Sequence, residues 1–350
     1  MTDVLGRQGT EGDAGVDGRL GRYLAPDGSD GAPVAVDLDR PHAAVVVGKR
    51  GSGKSYTLGV LAEELGRTRG VTGVVVDPMG VFGGLARGGA AVVGRPRVAV
   101  DAVPPRAWPA LLDLDSTSAA GSLLWRAATD AGSLAEIRAA VESASVPEPT
   151  RRAVANHLDL AASWDVFDPD GLAADDLLAG SVTVLDCSGM DPAPTSALAR
   201  AVATGLYRRA VVTDVSPLPW LLVDEAHARF DDVAGPALRT LLTRGRQPGV
   251  SLVLATQRPS ALPAVAISQA DLLVAHRLTA AADLDALACA RPTYLSGGLV
   301  ERLPGDPGEA VVVDDVTETV QTVRIRERGT PHGGTSPRAS ARLSTDAEDR

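Results

Sequence analysis

Lysine is nearly missing from this 350-residue chain. Of its 34 basic side chains only Lys49 and Lys54 are lysines, and Asn156 is the one asparagine. Both residue types have A-rich codons, so their shortage points to a GC-rich genome. The two cysteines, Cys187 and Cys289, are too few for a disulfide scaffold, and no Cys/His spacing suits a metal ion. Both read as buried thiols in a reducing compartment. No apolar run reaches the roughly 18 residues that a membrane-spanning helix needs. Residues 1–30 are polar and Gly-rich, without the apolar centre of a secretory signal. The expectation is a soluble, cytoplasmic protein with no membrane contact. Aromatic residues are scarce as well. Trp108, Trp125, Trp164 and Trp220 lie far apart along the chain and read as packing residues, not as a platform for stacked bases.

What is present is globular. Apolar residues make up 45% and charged residues 22%, which supports a large core and excludes a wholly disordered chain. A net charge of −10 with abundant Asp adds a hint of adaptation to high salt. That composition is common in haloarchaea and in some GC-rich bacteria. In such a setting acidity is proteome background and does not argue against a nucleic-acid partner.

Residues 1–40 read as a short, mostly irregular extension, with one strand candidate at Val34–Leu38. Ala43–Val47 is a β-branched run closed by Gly48, a buried strand. A helix pattern runs from Lys54 to about Leu65, followed by a strand at Val74–Val76 and a further candidate at Val98–Val103. Residues 105–178 change to Ala/Leu helical periodicity broken by Pro147 and Pro149, a helical insertion. Strand signals return at Val182–Leu185, Trp220–Val223, Val250–Ala255, Leu272–Ala275 and Ala310–Val313, with helices near Ser196–Ala210 and Val233–Leu242. Strands alternating with helices predict an α/β fold, a mostly parallel sheet covered by helices on both faces. The main domain spans 41–328, and 329–350 reads as a disordered tail.

The strongest chemical signal is Gly48-Lys49-Arg50-Gly51-Ser52-Gly53-Lys54-Ser55, a match to the phosphate loop G-x-x-x-x-G-K-[ST]. Glycines let the backbone wrap so that its N–H groups face a β-phosphate, and the following helix points its positive end at the same anion. Lys54 reaches the β- and γ-phosphates, and the Ser55 hydroxyl ligates Mg²⁺. With Tyr56 beside it, this stretch is the candidate nucleotide site. Trp220-Leu221-Leu222-Val223-Asp224-Glu225 is an apolar strand ending in two carboxylates, the Walker B pattern. Asp224 suits the Mg²⁺ shell, and Glu225 suits a group that polarises the attacking water. A third strand ends in Thr256-Gln257-Arg258-Pro259. In a doubly wound sheet ligands sit beyond the strand carboxyl ends, so Thr256 or Gln257 faces the γ-phosphate. Arg244-Gly245-Arg246 precedes that strand. Either arginine is a finger for a neighbouring subunit's phosphate, or the pair is a positively charged helix end.

Together these motifs resemble the HerA-like branch of the HerA/FtsK superfamily of ring-forming, DNA-pumping ATPases, over most of 41–328. Asp77-Pro78-Met79-Gly80 is similar to that branch's second-strand motif. Gly245-Arg246-Gln247-Pro248-Gly249-Val250 with Leu254-Ala255-Thr256-Gln257-Arg258-Pro259-Ser260 is similar to its finger and sensor block. Ser268-Gln269-Ala270-Asp271, His276-Arg277-Leu278-Thr279 and Asp283 resemble the block after it. The resemblance implies a RecA-like P-loop core, Mg²⁺-ATP, a hexamer with sites between subunits, and duplex DNA through the ring. It implies Arg246 as the finger, with Arg244 second. Two departures stand out. About 47 residues precede the phosphate loop, too few for the N-terminal β-barrel that family members with DNA-end-processing roles carry, so docking to a nuclease is not expected. Val81 stands where an acidic residue often follows the second-strand motif.

The expected function is a Mg²⁺-dependent ATPase that moves along or remodels duplex DNA. The alternative is an ATP-dependent switch or assembly protein that acts on a protein partner without DNA. A small-molecule kinase fits poorly beside the Asp-Glu and Thr-Gln-Arg-Pro strings. Smaller features read as structural. His42 is expected to be a surface or boundary residue, and Asp186-Cys187 a strand end. His276-Arg277 is either near the nucleotide or a plain strand terminus. Arg324, Arg326 and Arg328 share one face of a strand that meets DNA or a neighbouring subunit, or is a solvated edge.

Overall fold

A computed structural model describes residues 2–8, 15–289 and 298–334. In chain order, three strands come first: β1 (Asp3–Leu5), β2 (Asp17–Leu24) and β3 (Asp30–Asp37). Then follow β4 (Ala43–Val47), α1 (Lys54–Arg67), β5 (Val71–Asp77) and β6 (Ala91–Gly94). The helical insertion holds α2 (Trp108–Leu111), α3 (Ala119–Ala127), α4 (Leu134–Ser143), α5 (Glu148–Ser163) and α6 (Ala174–Ala179). After it come β7 (Val182–Asp186), α7 (Pro192–Val212), β8 (Leu218–Val223), α8 (His227–Phe230), α9 (Gly235–Arg244) and β9 (Ser251–Thr256). The chain continues through α10 (Ala264–Ser268), β10 (Leu272–Ala275), α11 (Ala281–Cys289), β11 (Glu309–Asp314) and β12 (Thr319–Ile325).

The described residues form one twelve-stranded sheet in the order β1-β3-β2-β12-β11-β10-β4-β9-β8-β5-β7-β6. From β10 to β6 every pairing is parallel, and from β10 through β3 the pairings are antiparallel. The parallel strands are apolar on both faces, as a sheet covered on both sides requires. In β4, Ala43, Val45 and Val47 join the core on one face, and Ala44 and Val46 join the core on the other. Helices α7 and α9 and the insertion cover the first face, and α1 covers the second. Trp108 and Trp220, both fully buried, anchor the two cores. Among the described residues no helix is long and apolar enough to cross a membrane.

Several local expectations change. Among the described residues of 1–40, β3 contains most of the expected strand at Val34–Leu38, and β1 and β2, which were not expected, extend the sheet beside it. In β2, a Cβ on Gly21 would sit 2.0 Å from the Arg324 carbonyl oxygen of the adjoining β12. That glycine marks a close strand approach. Val98–Val103 is not a strand. Flanked by Pro96 and Pro104, it makes one bridge from Val98 to Phe167 and a short 3₁₀ turn at Val100–Ala102, while β6 takes the sheet edge. Pro147 and Pro149 begin α5, at its N-cap and first turn, where a missing N–H costs nothing. Ser118 and Ser133 cap α3 and α4 through their hydroxyls.

The C-terminal arginines do not lie on an open sheet edge, and each is engaged by carboxylates. β12 lies between β2 and β11, and Arg324 pairs with Asp30 and Glu309. Arg326 reaches Glu63 and Glu64 on α1. Arg328 is buried over the Tyr56 ring and 3.7 Å from Glu63. Residues 329–334 are ordered as well: the Thr330 N–H and hydroxyl both donate to Glu63, and the His332 ring meets Tyr56 edge-on. The rest of the expected tail, 335–350, and the side chain of Cys289 lie outside the described residues. Cys187 is buried, and burial pushes its thiol up to about 12.

Candidate nucleotide site

The parallel strands end together, and the site is built where they end. β9 lies between β4 and β8, so Thr256 emerges between the glycine loop after Val47 and the carboxylates after Val223. Sheet order thus brings together three strings that are far apart in sequence.

The loop after β4 needs its glycines. Gly48, Gly51 and Gly53 all have positive φ, and a Cβ on Gly48 would lie 2.4 Å from the Ser52 hydroxyl and 2.6 Å from the Cβ of His276. The loop is tied by the Lys49 N–H to the Arg277 carbonyl and by the Ser52 hydroxyl to the Lys49 carbonyl. Helix α1 starts at Lys54 with Gly53 as its cap and no side-chain acceptor there. The amide groups of its first turn have no partner within the helix, a geometry suited to an anion. Lys49 is half-buried and Arg50 exposed, at the loop's outer rim.

His276 supports this loop from below. It is fully buried at the end of β10, with Nδ1 2.7 Å from the Glu309 carbonyl and Nε2 2.9 Å from the Thr57 hydroxyl. A carbonyl only accepts, so Nδ1 carries the proton and Nε2 accepts from Thr57. Burial pulls its pKa down to about 4, which keeps it neutral. His276 is therefore a scaffold beneath the loop, and Arg277 turns away to the Gly305 carbonyl.

The polar side chains converge on the open side. Ser55 Oγ donates to Asp224 Oδ2 at 2.8 Å. Asp224 is buried, and burial raises its pKa against the Ser55 hydrogen bond. Lys54 is buried with Nζ 3.3 Å from the Lys49 carbonyl, and burial lowers its pKa while Glu225 and Asp224 oppose that shift. Glu225 has φ 49°, a left-handed conformation costing on the order of 1–3 kcal/mol for a non-glycine residue. Its Oε2 is buried without a hydrogen-bond partner, and burial raises its pKa. Strain and an orphaned carboxylate oxygen coincide on one residue.

His227 belongs to none of the sequence motifs. Its Nδ1 lies 3.4 Å from Glu225 Oε2 and 3.0 Å from the Thr256 hydroxyl, joining the Walker B strand to the end of β9. Burial, then Arg258 and Arg229, lower its pKa. A titratable residue directly after Asp224-Glu225-Ala226 was the available signal. Thr256 is buried and also accepts from the Arg258 N–H, while Gln257 beside it is half-buried.

Not every candidate sits here. Tyr56 packs against the core under α1, its ring meeting Arg328 and His332, and receives the Arg328 N–H on its hydroxyl. Asp77 holds its own loop through the Met79 and Phe82 N–H groups, and Asp186 caps Ser188. Arg244 is exposed on the last turn of α9. Arg246 is half-exposed and pairs with Asp271 at 3.2 Å, at the start of β10. Asp271 is bonded to Ala43, so Arg246 stands at the opposite end of the sheet from the glycine loop. His42 is not a boundary residue either; it is 2% exposed and joins the same cluster through Asp271.

The oxygen donors suit a hard cation. Ser55 and Asp224 offer hydroxyl and carboxylate oxygens side by side, and among the described residues no group of three His, Cys, Asp or Glu side chains could hold a metal alone. That is the donor set of Mg²⁺, which takes few protein ligands and completes its shell with phosphates and water.

Residues 19–153 match the family described as "Helicase HerA, central domain". No curated protein matches the chain in sequence. Among solved structures, VirB4 of Thermoanaerobacter pseudethanolicus is similar at TM-score 0.71 and 18% identity, covering 92% of this chain and 99% of that one. The plasmid coupling protein TrwB in complex with ADP and Mg²⁺ is similar at TM-score 0.62 and 18% identity, covering 92% and 98%. TrwB with the non-hydrolysable GTP analogue GDPNP gives TM-score 0.59 and 17% identity, covering 94% and 99%. The shared fold is the RecA-like P-loop NTPase fold. The glycine loop and the paired carboxylates sit where this fold binds nucleotide, and over residues 19–153 the chain is similar to the HerA central domain.

Proposed function

We propose that the chain is a Mg²⁺-dependent ATP hydrolase whose sites are completed between subunits of a ring, and that the ring is a hexamer acting on duplex DNA. One observation carries the reading. Lys54, Ser55, Asp224 and Glu225 share one end of the sheet, while Arg246 stands at the other. β4 alone spans about 16 Å between those ends, at roughly 3.3 Å per residue. An arginine side chain does not cross that distance, so Arg246 serves only a neighbour's nucleotide.

Within a subunit the roles follow from position. The glycine loop and the first turn of α1 bind the phosphates, and Lys54 neutralises the β- and γ-oxygens. Ser55 and Asp224 would hold Mg²⁺, which supplies charge neutralisation on the phosphate oxygens. Glu225, strained and with one oxygen unpaired, orients water for in-line attack, and His227, bonded to Thr256, lies beside its carboxylate. Gln257 faces the same space from the end of β9. Arg246 of the adjacent subunit meets the charge that develops on the transferred phosphoryl group, a contribution of order 10³–10⁵ in turnover for such arginines. TrwB, of the same fold, has been captured with ADP and Mg²⁺, which supports the choice of cofactors.

A ring also suits a DNA client in high salt. At about 1 M salt the Debye length is roughly 3 Å, so an open basic groove holds DNA poorly, whereas a closed ring retains it by topology. Outside a high-salt setting, the net charge of −10 favours the second reading, a nucleotide-driven switch with a protein client. The test is the mass of the particle in solution with ATP and Mg²⁺. A multi-subunit ring is expected, and a protein that stays monomeric at every salt concentration contradicts the proposal.

A further inference from the structure

Arg246 rests on a buried foundation. Its partner Asp271 is fixed on the inner side by both carboxylate oxygens. Oδ1 accepts from the Ala43 N–H at 3.0 Å, and Oδ2 lies 3.0 Å from His42 Nδ1. The backbone is tied as well: the Asp271 N–H donates to the Ala43 carbonyl at 2.9 Å, and the His42 N–H donates to the Ser251 hydroxyl at 3.0 Å. The His42 ring packs against Trp220 at 5.7 Å between centroids. Its Nε2 faces Asp37 at 3.9 Å, too far for a hydrogen bond but close for an ion pair, and Asp37 is paired with Arg7. Charges thus alternate through Arg7, Asp37, His42, Asp271 and Arg246, with the buried Asp37, His42 and Asp271 in the middle. Burial pulls the imidazole pKa down, but Asp271 and Asp37 outweigh it and hold the pKa up to about 9.

We infer that Asp271, clamped by His42 and the Ala43 backbone, is a positioning residue that presents Arg246 to the nucleotide of the adjacent subunit. The inference rests on the reading of Arg246 as a residue acting between subunits. An ion pair between two mobile surface side chains fixes little; here one partner is immobile. Asp271 engages a single guanidinium nitrogen, Nη1. That leaves most of the five-donor fork for phosphate oxygens. Because Asp271 already shares its charge with His42, it orients the guanidinium without outcompeting a triphosphate. The segment also connects the two ends of the sheet: β10 begins beside Asp271 and ends at His276 under the glycine loop.

The test compares Asp271→Asn with Arg246→Ala in the full chain. Each variant is assayed for kcat, ATP affinity and thermal midpoint, alone and mixed with Lys54→Ala subunits. A misplaced catalytic group costs on the order of a hundredfold in rate. The expected result for Asp271→Asn is therefore a roughly hundredfold lower kcat with unchanged ATP affinity. Mixing should recover turnover, because Lys54→Ala subunits supply an intact Asp271–Arg246 pair to the Asp271→Asn sites. A merely structural defect would not be recovered by mixing. Wild-type turnover in Asp271→Asn, or a loss that mixing does not recover, overturns the inference while leaving Arg246 in place. Full activity in Arg246→Ala overturns the reading beneath it. Should Asp271→Asn fail to fold, His42→Gln, which loosens the clamp and keeps the carboxylate, must show a smaller drop of the same kind. An unchanged kcat in that variant also overturns the inference.

Discussion

Glu225 Oε2 and His227 Nδ1 lie 3.4 Å apart, and the same nitrogen is 3.0 Å from the Thr256 hydroxyl. The carboxylate proposed to orient water thus lies beside an imidazole that is bonded to the neighbouring strand end. His227→Ala should lower kcat about tenfold, less than the roughly 10²–10⁴ of a group that itself transfers the proton, with ATP affinity unchanged. Steady-state kinetics with a separate binding titration checks this, and an equal change in both parameters would count against it.

Glu225→Gln keeps the shape of the side chain and removes its charge. The variant should bind ATP and lose roughly 10²–10⁴ in turnover. It should also ease the burial of an ionised group, whose pKa burial raises in the native protein. Trapped, unhydrolysed ATP after gel filtration is the expected signature. Wild-type turnover would remove Glu225 from the reaction.

Much of this site was readable because its chemistry is contiguous. The phosphate loop is one string between a β-branched strand and a helix, and Asp224-Glu225 follow an apolar run directly. The parallel sheet was readable from alternation alone. What stayed hidden depends on contacts remote in sequence. His42 looks unremarkable until Asp271 is folded against it. Arg326 and Arg328 alternate like a binding face, but Glu63 on α1 claims them. β2 was missed because Gly21 serves the approach of β12, and a glycine in a strand reads as a turn when its neighbour is unknown.

Glu63 shows how firmly that C-terminal arm is held. It accepts from the Gly329 and Thr330 N–H groups and the Thr330 hydroxyl, beside Arg326 and Arg328. Removing one partner of a buried ion cluster typically costs about 3–5 kcal/mol. Glu63→Ala should lower stability by that order in chemical denaturation, with protease cleavage near 326–334 as a second readout. A change within about 0.5 kcal/mol would contradict the packing described.

The pH dependence of stability carries two opposite signs. The pKa of His42 is raised from 6.5 to about 9, so its contribution is full below 6.5 and is lost as pH rises through 9. Burial raises the pKa of Glu63 while Thr330 and Arg326 lower it, to a net of about 2 from 4.5, so its contribution is full above 4.5 and is lost as pH falls through 2. Thermal midpoints should fall from pH 7 toward 9, and His42→Gln should flatten that limb while leaving the acid limb unchanged. An alkaline limb identical in the variant would show that His42 does not carry it.

The central claim is an ATPase coupled to DNA through a shared site. Its most direct test is the steady-state ATP hydrolysis rate with and without linear duplex DNA, in moderate and in molar KCl, with Lys54→Ala as the blank. The account predicts a Lys54-dependent rate that DNA stimulates several-fold. A Lys54-dependent rate that is indifferent to DNA at every salt concentration would contradict it and point to a protein client.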